Sequence, residues 1–229
     1  MEYPHNRPYT ADDLVRIITL LRDPVNGCPW DKVQTHTSIR MNFLEEAYEA
    51  VDALDLDDPV LMCEELGDVL MQVAFHTCME QETGRFTWEQ VCDGVCQKLI
   101  ERHPNIFGTQ PGYEGITDWD ALKNKEKGRR TLADDLESVP RAMPALMRAA
   151  KLQKRAARHG AALQGVDAAA LADAAENLQT VQPASAQAEQ AVGELLFAAA
   201  NLARQAGVDP EQALQKANEA FCTAAGPVA

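Results

Sequence analysis

Apolar residues in this chain return at helical intervals, and no segment of useful length alternates with the two-residue period of a strand. Thr10 precedes Ala11, Asp12 and Asp13, and Leu14, Ile17, Ile18 and Leu21 then follow at i, i+3, i+4 and i+7, which predicts a capped helix. Residues 23–29 carry loop chemistry. A second helix is predicted over roughly residues 39–54, with Leu44, Ala47, Tyr48 and Val51 on its apolar face, broken by residues 55–59. A third covers roughly residues 60–81 and stops near Thr83-Gly84. Thr87 and Gln90 read as the capping box of a fourth, with Val91, Val95 and Leu99 inside and an end at His103-Pro104. Residues 105–117 are expected to form a loop. Aromatics are only 6% of the chain, while Ala and Leu abound, which again favours helix. The predicted fold class is all-α.

The 229 residues carry 21 Lys and Arg against 35 Asp and Glu, a formal net charge of −14. That acidity argues against a nucleic-acid binder, which needs a basic face to release counterions. Hydrophobic residues make up 46%, enough for a packed core and too many for a disordered acidic chain. No run of 18 apolar residues exists to span a membrane, and the polar start Met1-Glu2-Tyr3-Pro4-His5-Asn6 lacks the apolar centre of a secretory signal. The six cysteines (Cys28, Cys63, Cys78, Cys92, Cys96, Cys222) form no Cys-x-x-Cys pair, and a chain this long and apolar needs no disulfide staples. They are expected to be reduced, mostly buried thiols of a cytoplasmic protein.

Residues 1–120 carry a net charge of −15, residues 121–160 of +7 and residues 161–229 of −6. This pattern predicts two domains with a charged connector. An internal repeat supports it: residues 65–74, ELGDVLMQVA, align with residues 191–200, AVGELLFAAA, at an offset of 126. One residue of slip brings Glu46 onto Asp173 and Glu49 onto Glu176.

The chemistry is concentrated in two helical pairs, Glu46-x-x-Glu49 and Glu65-x-x-Asp68. Residues three apart share a helix face, and the short break at residues 55–59 makes the two helices antiparallel neighbours. Four carboxylates then converge. Unpartnered, they raise one another's pKa and resist closure of the fold, whereas a hard divalent cation such as Mg²⁺ relieves the repulsion. Against this stands a solvated face, because Glu46 and Glu49 lie opposite the Leu44/Ala47/Val51 stripe. The third helix tips the balance toward metal. It is apolar nearly all round, which predicts that it is buried and that Asp68 has apolar neighbours. Gly67 beside it would admit a close helix. A di-iron carboxylate bundle also uses inward Glu residues but needs Glu-x-x-His pairs on its helices, and neither His76 nor His103 stands three residues after a Glu.

At these residues the sequence resembles the MazG-type nucleoside triphosphate pyrophosphohydrolases, an all-α family. The motif Glu-Glu-x-x-Glu, spacer, Glu-x-x-Asp reads here as Glu45-Glu46-Ala47-Tyr48-Glu49 and Glu65-Leu66-Gly67-Asp68. Further matches are Arg22-Asp23-Pro24 through Gly27-Cys28-Pro29-Trp30-Asp31 with Gln34-Thr35, Arg102-His103-Pro104 with Phe107-Gly108, and Pro144-Ala145-Leu146-Met147-Arg148-Ala149 with Gln153-Lys154. Near the end, Asn201-Leu202-Ala203-Arg204 and the run from Ala213 through Asn218 also fit. The resemblance implies tandem helical-bundle domains, residues 1–120 with an intact motif and residues 121–229 comprising a charged helical connector and a degenerate copy. It implies hydrolysis of the α–β phosphoanhydride of a nucleoside triphosphate, giving the monophosphate and pyrophosphate. Glu46, Glu49, Glu65 and Asp68 would hold Mg²⁺, with Mn²⁺ as the alternative ion, and form the catalytic set. Lys98 and Arg102, one turn apart, are candidates for the phosphates, with ordinary surface cations as the competing reading. Trp30 could stack on a base or simply fill its loop, and Lys32 is a weaker phosphate candidate. His36, His76 and His103 lack ligand spacing and read as structural.

A homodimer, a nucleotide-pool role and no membrane or nucleic-acid partner complete the implied picture. Selectivity for dUTP or a modified dNTP, and a non-catalytic helical interaction module, are the alternatives. In the second half Asp173-x-x-Glu176 and Ala191-Val192-Gly193-Glu194 replace the motif, and Ala191 removes a ligand. That half is expected to be silent. Arg148, Lys151, Arg155 and Arg158 share a helical face, expected to be solvated or paired with the acidic first domain rather than to contact nucleic acid. Phosphate binding there is a third option.

Overall fold

The computed structural model describes residues 3, 5, 7–104, 106–108 and 126–226. Among them every regular element is helical and no strand occurs. The expected loop at 105–117 and the start of the connector fall largely outside the described residues. The chain divides into two compact units, Met1–Ile116 and Thr117–Ala229. No helix is long and apolar enough to cross a membrane among the described residues.

In the first unit α1 is Ala11–Leu21, α2 His36–Asp55, α3 Pro59–Glu82 and α4 Trp88–Arg102. Thr10 and Asp13 form a capping box on α1, and Thr87 with Gln90 does the same on α4. Helix α2 starts three residues before the predicted position. Its box is Thr35 with Ser38, and Ser38 lacks the Glu or Gln signature usual at that place. Between α2 and α3 the chain turns in three residues. Asp57 takes a left-handed φ of 53°, Asp58 accepts from the backbone N–H of Val60 and Leu61, and Pro59 opens α3. The two helices therefore run antiparallel in close contact.

The core gathers Ile18, Ile39, Ala74, Phe75, Cys78, Met79 and Trp88. Small residues on α2, Ala50 and Ala53, are buried, whereas Tyr48 and Val51 are half exposed. The face of α2 read as apolar core is thus only partly so, with Leu44 and Ala47 half-buried and Tyr48 and Val51 outward, while Ala50 and Ala53 are buried. Short side chains let α2 and α3 approach, which hydropathy alone does not reveal. Helix α3 is likewise not buried all round. Its second half supplies the core, but Val60, Leu66 and Leu70 are exposed. Asp68 is only partly buried, and a Cβ on Gly67 would meet nothing within 4 Å, so among the described residues no helix approaches there.

Arg22, 8% exposed, ties the unit together. Its Nε and a terminal nitrogen donate to both oxygens of Glu82 at 2.6 and 2.8 Å, and its other terminal nitrogen donates to the carbonyls of Asp31 and Gln34. The loop between them needs Gly27, because a Cβ there would stand 2.4 Å from the carbonyl oxygens of Asp23 and Leu21.

The second unit contains α5 Leu132–Glu137, α6 Ala145–Arg158, α7 Ala168–Thr180, α8 Ala186–Gln205 and α9 Pro210–Ala225. Its interior is small and polar-pinned. Ala149, Ala156, Ala174, Ala191, Ala198 and Ala200 are buried, Gln153 donates to the Phe197 carbonyl, and Asn201 donates to the Val166 carbonyl. Asp135, fully buried, receives Arg155, Arg158 and His159. The basic face of α6 is therefore divided: Arg155 and Arg158 are neutralised inside their own unit. The cysteines also correct the expectation, since all six are free thiols but only Cys78 is buried.

Candidate metal centre

On α3 the residues Glu65, Asp68, Gln72, Phe75 and Met79 follow one another at three- and four-residue steps, so the core stripe continues as a polar stripe facing α2. Glu46 and Glu49 stand one turn apart on the facing helix. One oxygen from each of Glu46, Glu49 and Glu65 can be chosen so that all lie within 4.8 Å of one another. Asp68 stands outside this tight set, but its charge acts on both Glu46 and Glu65.

The electrostatics are those of a crowded acid group. Partial burial, then Asp68 and Glu49, push the Glu46 carboxyl above its ordinary range, opposed by a hydrogen bond from Gln72. Partial burial, then Asp68, Glu64 and Glu46, push Glu65 in the same direction. An all-oxygen donor set whose members destabilise each other's charge fits a hard cation.

Gln72 is the residue that motif reading missed. It is 6% exposed, and its Nε2 donates to Glu46 Oε1 at 3.2 Å. Its only sequence signal is its place one turn beyond Asp68. A second cluster also escaped: His36 Nε2 meets Glu80 Oε1 at 2.5 Å, His36 Nδ1 meets His76 Nδ1 at 2.7 Å, and Arg85 holds Glu80. Burial and the neighbouring His36 lower the His76 pKa. These histidines are engaged with protein partners, in keeping with a structural reading.

Of the expected substrate residues, Trp30 is 57% exposed on its loop. Lys32 is partly buried, with Nζ 3.5 Å from the Pro24 carbonyl, Lys98 is exposed on α4, and Arg102 is partly buried in the last turn of α4. Among the described residues no hydrogen bond or ion pair joins Trp30, Lys32 or Lys98 to the four carboxylates. In the second unit Asp173, Glu176 and Glu194 are exposed and Ala191 is buried, with Glu194 accepting from Gln190.

Fold and site together define an all-α protein with a carboxylate cluster between antiparallel helices. Residues 34–107 match the MazG nucleotide pyrophosphohydrolase domain. The chain is 41% identical over 219 residues to a nucleoside triphosphate pyrophosphohydrolase of Escherichia coli strain K12, covering 92% of this chain and 83% of that one. It is 39% identical over 212 residues to the nucleoside triphosphate pyrophosphohydrolase/pyrophosphatase MazG of Thermotoga maritima, covering 92% and 82%. The chain belongs to the MazG family.

Proposed function

We propose that the chain is a Mg²⁺-dependent nucleoside triphosphate pyrophosphohydrolase that converts a (d)NTP and water to the (d)NMP and pyrophosphate. The observation that carries this reading is the Glu46, Glu49 and Glu65 cluster on facing helices, in a chain whose relatives bear that activity in their names. Glu46, Glu49, Glu65 and Asp68 would hold the ion. Bound there, Mg²⁺ supplies neutralisation of phosphate charge and acidification of a coordinated water. Gln72 fixes one oxygen of Glu46 and leaves the other for the ion. Lys98 and Arg102 would meet the phosphates, while Trp30 would offer an aromatic face to the base and Lys32 a further cation.

The second unit is read as a degenerate copy that keeps the helical frame and has lost the site, supported by the buried Ala191. A homodimer is supported by the exposed apolar residues Tyr48 and Val51 on α2, Leu66 and Leu70 on α3, and Val95 and Leu99 on α4. Six free thiols suit the reducing cytoplasm. The test is incubation with a mixed NTP and dNTP panel and Mg²⁺, scoring monophosphate and pyrophosphate. Glu65→Ala should abolish turnover. Turnover of one base alone would narrow the reading to a selective enzyme. No turnover with either Mg²⁺ or Mn²⁺ would overturn it.

A further inference from the structure

Two lysines of α6 are not neutralised within their unit among the described residues. Arg155 and Arg158 are held by Asp135, but Lys151 and Lys154 have no hydrogen bond or ion pair among the described residues. With Met147 and Ala150 they occupy the i, i+3, i+4, i+7 stripe that forms one wall of a cavity of about 590 Å³. The facing wall is the end of α8 and the start of α9, where Arg204 and Val208 stand. Arg204 is pre-positioned: its Nε donates to Asn201 Oδ1 at 3.0 Å, and Asn201 is itself buried and fixed to the Val166 carbonyl. Its terminal nitrogens have no protein partner among the described residues. Two acids are near. Asp209 caps α9 through the backbone N–H of Glu211 and Gln212, and Glu211 accepts from the Met147 N–H at 3.3 Å.

Three cations on two walls outnumber the one lining acid, Asp209, and suit an anion of more than one charge. Met143, Met147 and Val208 add an apolar surface beside them. The volume lies within the range of about 300–1,000 Å³ usual for small-molecule sites. The cavity shares no residue with the carboxylate cluster, which lies in the other unit. On α8 it is also about 15 Å beyond Glu194, ten residues at ~1.5 Å each.

We propose that this cavity is a second, metal-independent anion site that takes a phosphorylated small molecule, its phosphates against Lys151, Lys154 and Arg204 and its body against Met143 and Met147. The test uses the full chain in EDTA, with inorganic pyrophosphate and ATP as separate probes followed by isothermal titration and phosphorus line broadening. Saturable binding is expected. It should weaken at least tenfold in K151E/K154E, weaken less in K151Q/K154Q, and persist in E65Q/D68N. Thermal melts followed by circular dichroism check that each variant is folded, and if K151E/K154E is not, K151Q/K154Q decides. ATP binding tighter than pyrophosphate identifies a nucleotide held partly by the apolar wall, and equal affinity identifies a site for the phosphate chain alone. Absence of saturable binding by either probe overturns the proposal. So does unchanged affinity in folded lysine variants, or loss confined to E65Q/D68N.

Discussion

Removing the carboxylate of Asp135 should cost the second unit a large part of its stability. Asp135 is fully buried and Arg155 is 6% exposed, so Asp135→Ala would take from a buried guanidinium the countercharge that Asp135 supplies. Arg155 would keep its hydrogen bonds to the Asp135 carbonyl, at 2.6 Å, and to the Ser138 hydroxyl, but both partners are neutral. Breaking a buried pair by deleting one partner costs about 3–5 kcal/mol. Arg158 and His159, whose side chains are 27% and 30% exposed, recover hydration and add little. With a urea slope of roughly 2 kcal/mol per molar, the midpoint for this unit should fall by about 2 M. Urea denaturation gives the midpoint, and amide exchange over residues 145–158 localises the effect to α6. The double variant Asp135→Leu with Arg155→Met should be less destabilised than the sum of the two single changes, because both members of the ion pair leave together. A loss below about 1 kcal/mol for Asp135→Ala, or strict additivity in the pair, would refute the argument.

Gln72→Leu should weaken Mg²⁺ binding by about tenfold or more, because Glu46 loses the donor that orients it and that opposes its raised pKa; titration calorimetry reads this directly. Glu46 and Glu65 are both raised above their ordinary 4.5, so the folded state holds those protons more tightly than the unfolded chain and loses stability as the pH rises through the folded values. E46Q/E65Q should therefore melt higher than wild type at pH 7 in EDTA, with the gap closing below pH 4.5 and shrinking when Mg²⁺ is added at pH 7. Gly27→Ala must displace the loop carbonyls. Loss of the hydrogen bonds Gly27 N–H to Asp23 and Cys28 N–H to Leu21, at ~1 kcal/mol each, predicts about 2 kcal/mol of destabilisation by chemical denaturation.

What the sequence disclosed divides along physical lines. Local signals were readable: the boxes at Thr10 and Thr87 fix helix ends by chemistry within four residues, and residues 55–59 mark the break between α2 and α3. The Glu46, Glu49 and Glu65 proximity was readable because helix periodicity plus a short turn dictates it. Burial was less so. Tyr48 and Val51 look like core residues, yet Ala50 and Ala53 are the ones that let α3 approach, and small size leaves almost no hydropathy signature. Long-range polar contacts left no trace: His36 lies forty residues before His76, and Asp135 looks like any acid in a short acidic helix until Arg155 and Arg158 are seen on it.

The position that the internal repeat pairs with Glu65 is Ala191, 5% exposed and packed in the interior of its unit. A methyl group stands where the proposed degenerate copy would need a ligand, and it is buried. Writing glutamate back at 191 would thrust an ionised group into hydrocarbon instead of restoring a donor. On the proposed reading of this unit as a degenerate copy, a single change would not restore a site there, because α8 would first have to roll or its neighbours shrink.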